Sequence, residues 1–177
     1  ENVAEVVRQA IGDGYTMVVA AGGDGTVSAV VGGVVGSQVP LGIIPVGTGN
    51  ALARELGIPL RLCKALDLVV GEHAVRSIDA MQVGERYFLL VVGAGVSSVV
   101  IGNTRREAKL LFGRFAYFFQ TFKQFLGFQP YRFRIAIDGR VIDVRASEVL
   151  IANTSRVGGS PFHWARNIRP DDGELAV

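Results

Sequence analysis

The sequence predicts a two-part fold: an α/β domain with a parallel sheet, then a mostly antiparallel β domain carrying one long inserted helix. Three observations carry this. Over residues 1–72, helical segments alternate with short β-branched apolar runs, with a glycine loop at each strand-to-helix junction. That rhythm builds parallel sheets with crossover helices. After Gly71 the pattern turns to polar–apolar alternation, and Asp138-Gly139 supplies a hairpin turn. Residues 105–126 hold the one long helical pattern of this second half.

In chain order, residues 2–11 place Val3, Val6, Val7, Ala10 and Ile11 at helical spacing, closed by Gly12 and Gly14. Residues 16–21 read as a buried strand, 22–26 as a loop and 27–35 as a helix. A second unit follows: strand 41–44, loop 45–50 and helix 51–56, which Gly57-Ile58-Pro59 ends because proline cannot continue it. Residues 63–70 form one more helix. Two strands are too few for a parallel sheet, and the chain opens on a helix without an initiator methionine. The expectation is a sheet truncated at its N-terminus, with its earlier strands ahead of residue 1. The domain boundary is expected near 71–75, giving domains of 1–72 and 73–177. Beyond it, 75–83, 87–92, 131–137, 141–146 and 148–153 read as strands, and the chain stops inside an apparent strand at 174–177.

Composition narrows the function. With 177 residues, 49% of them apolar, the chain can bury a sizeable core. Its net charge of +2 and the lack of any block of five like charges argue against nucleic acid. Cys63 is the only cysteine, which excludes an internal disulfide and a cysteine-based zinc cluster. No signal-peptide pattern opens the chain, so a reducing cytoplasmic setting is expected. The longest apolar stretch, 87–102, is interrupted by Gly93, Gly95, Ser97 and Ser98 and cannot cross a bilayer. The protein is therefore expected to be soluble, or to touch a membrane from one side.

Gly22-Gly23-Asp24-Gly25-Thr26 sits where a buried strand hands over to a helix. Glycines there let backbone approach phosphate oxygens, and a helix N-terminus adds aligned N–H groups. Asp24 is the odd member. A carboxylate repels phosphate unless it binds Mg²⁺ or takes a proton from an attacking hydroxyl, and phosphoryl transfer needs both. The plainer reading makes Asp24 an N-cap in an ordinary turn. Pro45-Val46-Gly47-Thr48-Gly49-Asn50 occupies the same kind of junction one unit later, with Thr48 and Asn50 able to hydrogen-bond phosphate or ribose. Loops at the carboxyl ends of parallel strands share one edge of the sheet, where ligands bind.

Gly-Gly-Asp-Gly-Thr followed about twenty residues later by Pro-x-Gly-Thr-x-Asn resembles the diacylglycerol kinase catalytic family, bacterial lipid kinases included. Sphingosine and ceramide kinases are its more distant relatives. The resemblance extends to Ser77-Ile78-Asp79, to Gly113-Arg114-Phe115-Ala116-Tyr117, and to Asn153, Gly158-Gly159 and Pro170-Asp171-Asp172-Gly173-Glu174-Leu175. It implies an ATP site between a nucleotide domain and a β-sandwich-like lipid-binding domain. Gly22, Gly23, Asp24, Gly25, Thr26, Gly47, Thr48 and Asn50 would form the nucleotide site, with Asp24 essential to transfer. A structural Mg²⁺ would sit on Asp172 and backbone oxygens of Arg169 and Glu174, linked through water to Asp79. The acceptor would be a lipid alcohol, reached by an enzyme peripheral to the membrane; a homodimer is compatible with this. This chain departs from the family's common pattern at Asn50-Ala51-Leu52, where many members read Asn-Asp-Phe. The family's early phosphate-binding segment would lie before residue 1, and a glutamate assigned to catalysis in bacterial members beyond residue 177.

Weaker signals read as structure. In residues 105–126, Ala108, Leu111, Phe115, Phe118, Phe122 and Leu126 make one face for packing. Phe112, Phe119 and Phe125 widen it enough to line an acyl groove or graze a bilayer. His73 and His163 lack ligand spacing, Trp164 reads as partly buried, and Cys63 as a buried thiol. NAD kinase also joins a Gly-Gly-Asp-Gly loop to a β-rich domain, but no Asn-Glu pair follows residue 2 here. Phosphofructokinase shares only the first loop. A non-catalytic lipid-binding or regulatory module has no need of Asp24, Gly25 and Thr48 together.

Overall fold

The computed structural model describes residues 2–95, 130–155 and 168–177. The described chain is mixed α/β and divides into two compact units, Glu1–Val91 with Ala152–Ala176, and Val92–Ile151 with Val177. The expected long helix at 105–126 lies outside the described residues, as do Gly113, Gly158, His163 and Trp164.

The first unit opens with α1 (Val3–Gly12), capped by Asn2, whose Oδ1 accepts from Ala4 N at 3.2 Å. Then come β1 (Val18–Gly22), α2 (Asp24–Val34), β2 (Leu41–Pro45), α3 (Ala51–Glu55) and α4 (Leu62–Val70). Strands β1 and β2 pair in parallel, Val18 opposite Leu41 through Gly22 opposite Pro45. Their shared core holds Val7, Ala20, Val27, Val30, Val31, Ile43, Leu52 and Leu89. Helix α2 packs close against α1 because Gly33 leaves room for it: a Cβ there would lie 2.6 Å from Ala4 O.

Several boundaries differ from the sequence reading, the expected strand 87–92 among them, which is broken at residues 89–90. Helix α2 starts at Asp24, three residues early, because Gly23 takes the extended cap conformation and its carbonyl accepts from Thr26 N and Val27 N. Residues 72–80 form no strand. Pairing begins only at β3 (Met81–Val83), which folds back on β4 (Arg86–Phe88) across Gly84-Glu85. Ile78, Tyr87, Leu89 and Leu90 join the core of the first compact unit, which runs to Val91. In the second unit β5 (Val91–Gly95) pairs with β8 (Glu148–Ala152). There too β6 (Tyr131–Ile137) and β7 (Arg140–Ala146) form an antiparallel hairpin. Asp138 and Gly139 take φ of 47° and 77°, the two positive values its tight turn requires. The expected final strand is a single bridge, Ala152 to Ala176. Cys63, expected to be buried, is exposed on α4. No helix among the described residues is long and apolar enough to cross a membrane.

Candidate functional site

Parallel register decides where the two glycine loops meet. Gly22 ends β1, Pro45 ends β2, and the two stand side by side. Val46 N donates to Gly22 O at 3.3 Å, so both loops leave one edge, beyond the strands' carboxyl ends. The loops then touch backbone to backbone. A Cβ on Gly23 would lie 3.2 Å from Gly47 Cα, and one on Gly47 would lie 3.0 Å from Gly23 N and 2.8 Å from Asn50 Oδ1. Gly47 has no room for a side chain, and one on Gly23 would press on the Gly47 backbone.

Asp24 stands at this junction, half-buried in the first turn of α2. Its Oδ1 accepts from Leu52 N at 3.1 Å, in the first turn of α3 and 28 residues away. A Cβ on Gly49 would lie 3.1 Å from its Oδ2. Asp24 does cap a helix, but not its own: α2 starts on Gly23 without a side-chain cap, and the carboxylate satisfies an α3 amide instead.

Asn50 holds the second loop from within. It is buried, with φ 50° and ψ 46°, in the left-handed region where asparagine is among the few residues tolerated. Its Oδ1 accepts from Gly47 N at 3.0 Å, while Nδ2 donates to Gly47 O at 2.7 Å and Pro45 O at 3.4 Å. Arg54 steadies the loop's outer side through Nε to Gly49 O at 3.1 Å. Gly25, Thr26, Thr48 and Gly49 are exposed. The eight residues expected at a nucleotide site therefore gather at one edge. Gly22, Gly23, Gly47 and Asn50 shape it, and Gly25, Thr26 and Thr48 face solvent. Arg54 was missed, although a lone cation on the helix behind the second loop was visible in the sequence.

A second cluster lies in the same unit. Asp79 N donates to Pro170 O at 2.6 Å, and Asp79 Oδ2 accepts from Gly173 N at 2.7 Å. Asp172 Oδ1 accepts from Glu174 N at 3.1 Å. The turn at 170–174 is thus held by two carboxylates on successive amides. Asp171 pairs with Arg76 at 2.8 Å and Arg169 at 3.2 Å. Hydrogen bonds from Arg76, then Arg169, hold its carboxyl below the usual aspartate value. Fully buried Asn153 donates through Nδ2 to Asp79 O at 2.8 Å and Leu89 O at 3.2 Å, and its Oδ1 has no partner among the described residues. Asp79 and Asp172 thus both bind the 173–174 backbone, and the Arg169 side chain pairs with Asp171, which leaves its backbone carbonyl, the atom expected as a ligand, uninvolved in that pair. Arg76 was passed over in sequence, although it directly precedes Ser77-Ile78-Asp79. Among the described residues, no three His, Cys, Asp or Glu side chains converge as a metal site.

Residues 1–83 match the family described as the diacylglycerol kinase catalytic domain, and 90–177 match the YegS C-terminal NAD kinase beta sandwich-like domain. The chain is 34% identical over 148 residues to a diacylglycerol kinase of Bacillus subtilis, covering 82% of this chain and 48% of that protein. A diacylglycerol kinase of Staphylococcus aureus is 31% identical over 154 residues, covering 86% and 49%. A crystal structure of a diacylglycerol kinase from Bacillus anthracis aligns with a TM-score of 0.73 at 28% identity, covering 98% of this chain and 56% of that one. The chain spans about half the length of the curated relatives it matches.

Proposed function

This chain belongs to the diacylglycerol kinase catalytic domain family, and we propose that it forms the core of an ATP-dependent lipid kinase, moving the γ-phosphoryl group to a lipid hydroxyl. One observation carries this reading: two glycine loops packed backbone to backbone at one sheet edge, with the Asp24 carboxylate between them. Exposed Gly25 offers its amide, and exposed Thr26 and Thr48 their hydroxyls, to phosphate oxygens next to the N-terminus of α2. Gly25 supports a ligand role from another side. A Cβ there would meet nothing within 4 Å, and its φ is not positive, so folding does not demand glycine. Close approach of a phosphate does.

Asp24 is assigned the acceptor hydroxyl's proton or the metal that accompanies the nucleotide. Its Oδ1 bond to Leu52 N fixes the carboxylate and leaves Oδ2 for that work. The Asp79–Asp172 turn fits a hard cation. Such ions take six or more oxygens, with carbonyls and waters counted, so two carboxylates with the Arg169 and Glu174 carbonyls form a sufficient start. Asn153 Oδ1, without a partner among the described residues and on an amide already bonded to Asp79, adds an acceptor for water nearby. When bound, Mg²⁺ would supply fixed positive charge and order that water. The acceptor lipid places the enzyme at the cytoplasmic face of a membrane.

The test is an assay with ATP over lipid alcohols, with NAD as a further acceptor because the second matched family is related to NAD kinase. Asp24→Asn keeps an oxygen for Leu52 N yet loses the base and metal ligand. It should lower kcat about a hundredfold or more with little change in Tm. Near-normal turnover would remove Asp24 from the chemistry, and phosphorylation of NAD alone would replace the lipid reading.

A further inference from the structure

The β6–β7 hairpin has two unlike faces. Its register sets Tyr131, Phe133 and Ile135 opposite Ala146, Val144 and Ile142 on one of them, with Ile137 opposite exposed Arg140 beside the turn. On the other, Arg132 stands opposite Arg145, Arg134 opposite Asp143 and Ala136 opposite Val141. Arg134 and Asp143 neutralise each other through two bonds, at 2.9 and 3.2 Å. Arg132 and Arg145 are exposed, and neither has an ion-pair partner among the described residues.

Like charges directly opposite in an antiparallel pair destabilise it, and threonine or valine would suit both positions better. Two facing arginines on an exposed ladder, without a partner among the described residues, are therefore relieved by negative charge brought to them from outside the hairpin. Exposed Val141 and Ala136 continue the same face toward the turn, so it offers guanidinium groups beside a small apolar surface. That mixture fits the headgroup boundary of a bilayer. A nucleic-acid surface would call for more phosphate contacts than this face supplies, on a chain whose net charge is only +2.

We propose that the Arg132–Arg145 face is a contact surface for an anionic lipid bilayer, gripping lipid phosphates through guanidinium hydrogen bonds. The choice of a bilayer rests on the lipid-kinase reading, because the acceptor alcohol resides there. The protein should float with phosphatidylcholine vesicles doped with phosphatidylglycerol, less well as salt rises, and poorly with phosphatidylcholine alone. Arg132→Thr with Arg145→Thr should weaken that partition about tenfold to thirtyfold. The same variant should hold or raise Tm, because the like-charge pair is gone. Arg61→Gln with Arg86→Gln removes equal charge elsewhere on the surface and should float like wild type. Equal loss in both double variants would reduce the effect to bulk charge and overturn the proposal. So would unchanged flotation of the threonine variant, or wild type that ignores anionic vesicles yet is retained on heparin. Turnover on detergent-dispersed lipid alcohol, which presents no charged bilayer, separates the two readings. Measured in the full-length protein that contains this chain, it should be equal in wild type and threonine variant, and its absence in wild type would defeat the kinase reading alone.

Discussion

At the scale of single residues, Asn50 shows how a small amide can carry a site without touching a ligand. Its backbone sits in the left-handed region while its side chain makes three hydrogen bonds to Pro45 and Gly47. Replacement by alanine loses those bonds and leaves a side chain with a Cβ at positive φ. Each neutral bond is worth about 1 kcal/mol and the conformation about 1–2 kcal/mol more, so Asn50→Ala should cost roughly 4–5 kcal/mol. Asn50→Gly relieves the backbone but not the bonds, and should fall between wild type and alanine in urea denaturation. If alanine and glycine prove equally mild, the amide is not what holds the loop. Asp24 belongs to the same scale but divides its oxygens: Oδ1 serves Leu52 and only Oδ2 lies on the Gly49 side.

Among elements, the decisive contact is loop on loop, and it tests the glycines apart from any chemistry. Gly47→Ala drives a methyl into the Gly23 backbone, which cannot yield as a side chain can. It should cost about 1–3 kcal/mol and weaken ATP binding as well. Gly25→Ala meets open space within α2, so it should be neutral or slightly stabilising and still impair ATP binding. Differential scanning fluorimetry with and without nucleotide reads both effects; Gly47→Ala with wild-type Tm would contradict the packing described here. Much of this level was legible in the sequence. Periodicity marked α1, β1, β2 and α4 to within about two residues, and Asp138-Gly139 marked the β6–β7 turn, because those signals are local. What was not legible is long-range. Nothing around Asp24 announces an amide 28 residues away, and nothing in 75–80 shows that its apolar residues lack a strand to pair with. Gly23 reads as loop by composition, and only its cap geometry makes Asp24 the first residue of a helix.

Over the whole molecule, the chain's last described segment returns to a segment laid down far earlier. Asp79 bonds both Pro170 and Gly173, Arg76 pairs with Asp171, and Asn153 spans Asp79 and Leu89. These links join residues more than sixty positions apart, so they close a long loop onto the first unit. The resemblance marked Asp79 and Asp172 as a pair; the structure adds that they grip consecutive amides, Gly173 and Glu174. A cation bound there would stabilise the closed arrangement by mass action, by about 2.7 kcal/mol when its concentration is a hundred times Kd. Wild type should therefore melt several degrees higher in saturating Mg²⁺ than after chelation with EDTA. Asp172→Asn keeps an oxygen for Glu174 N, so its Tm in EDTA should stay near wild type while the Mg²⁺ increment disappears. Asp79→Asn should lose part of the increment and also lower Tm in EDTA, because Asp79 Oδ2 accepts from Gly173 N and half-buried Asp79 tolerates a flipped amide poorly. An equal increment in wild type and Asp172→Asn would place the cation elsewhere, and no increment in wild type would remove the metal from this turn.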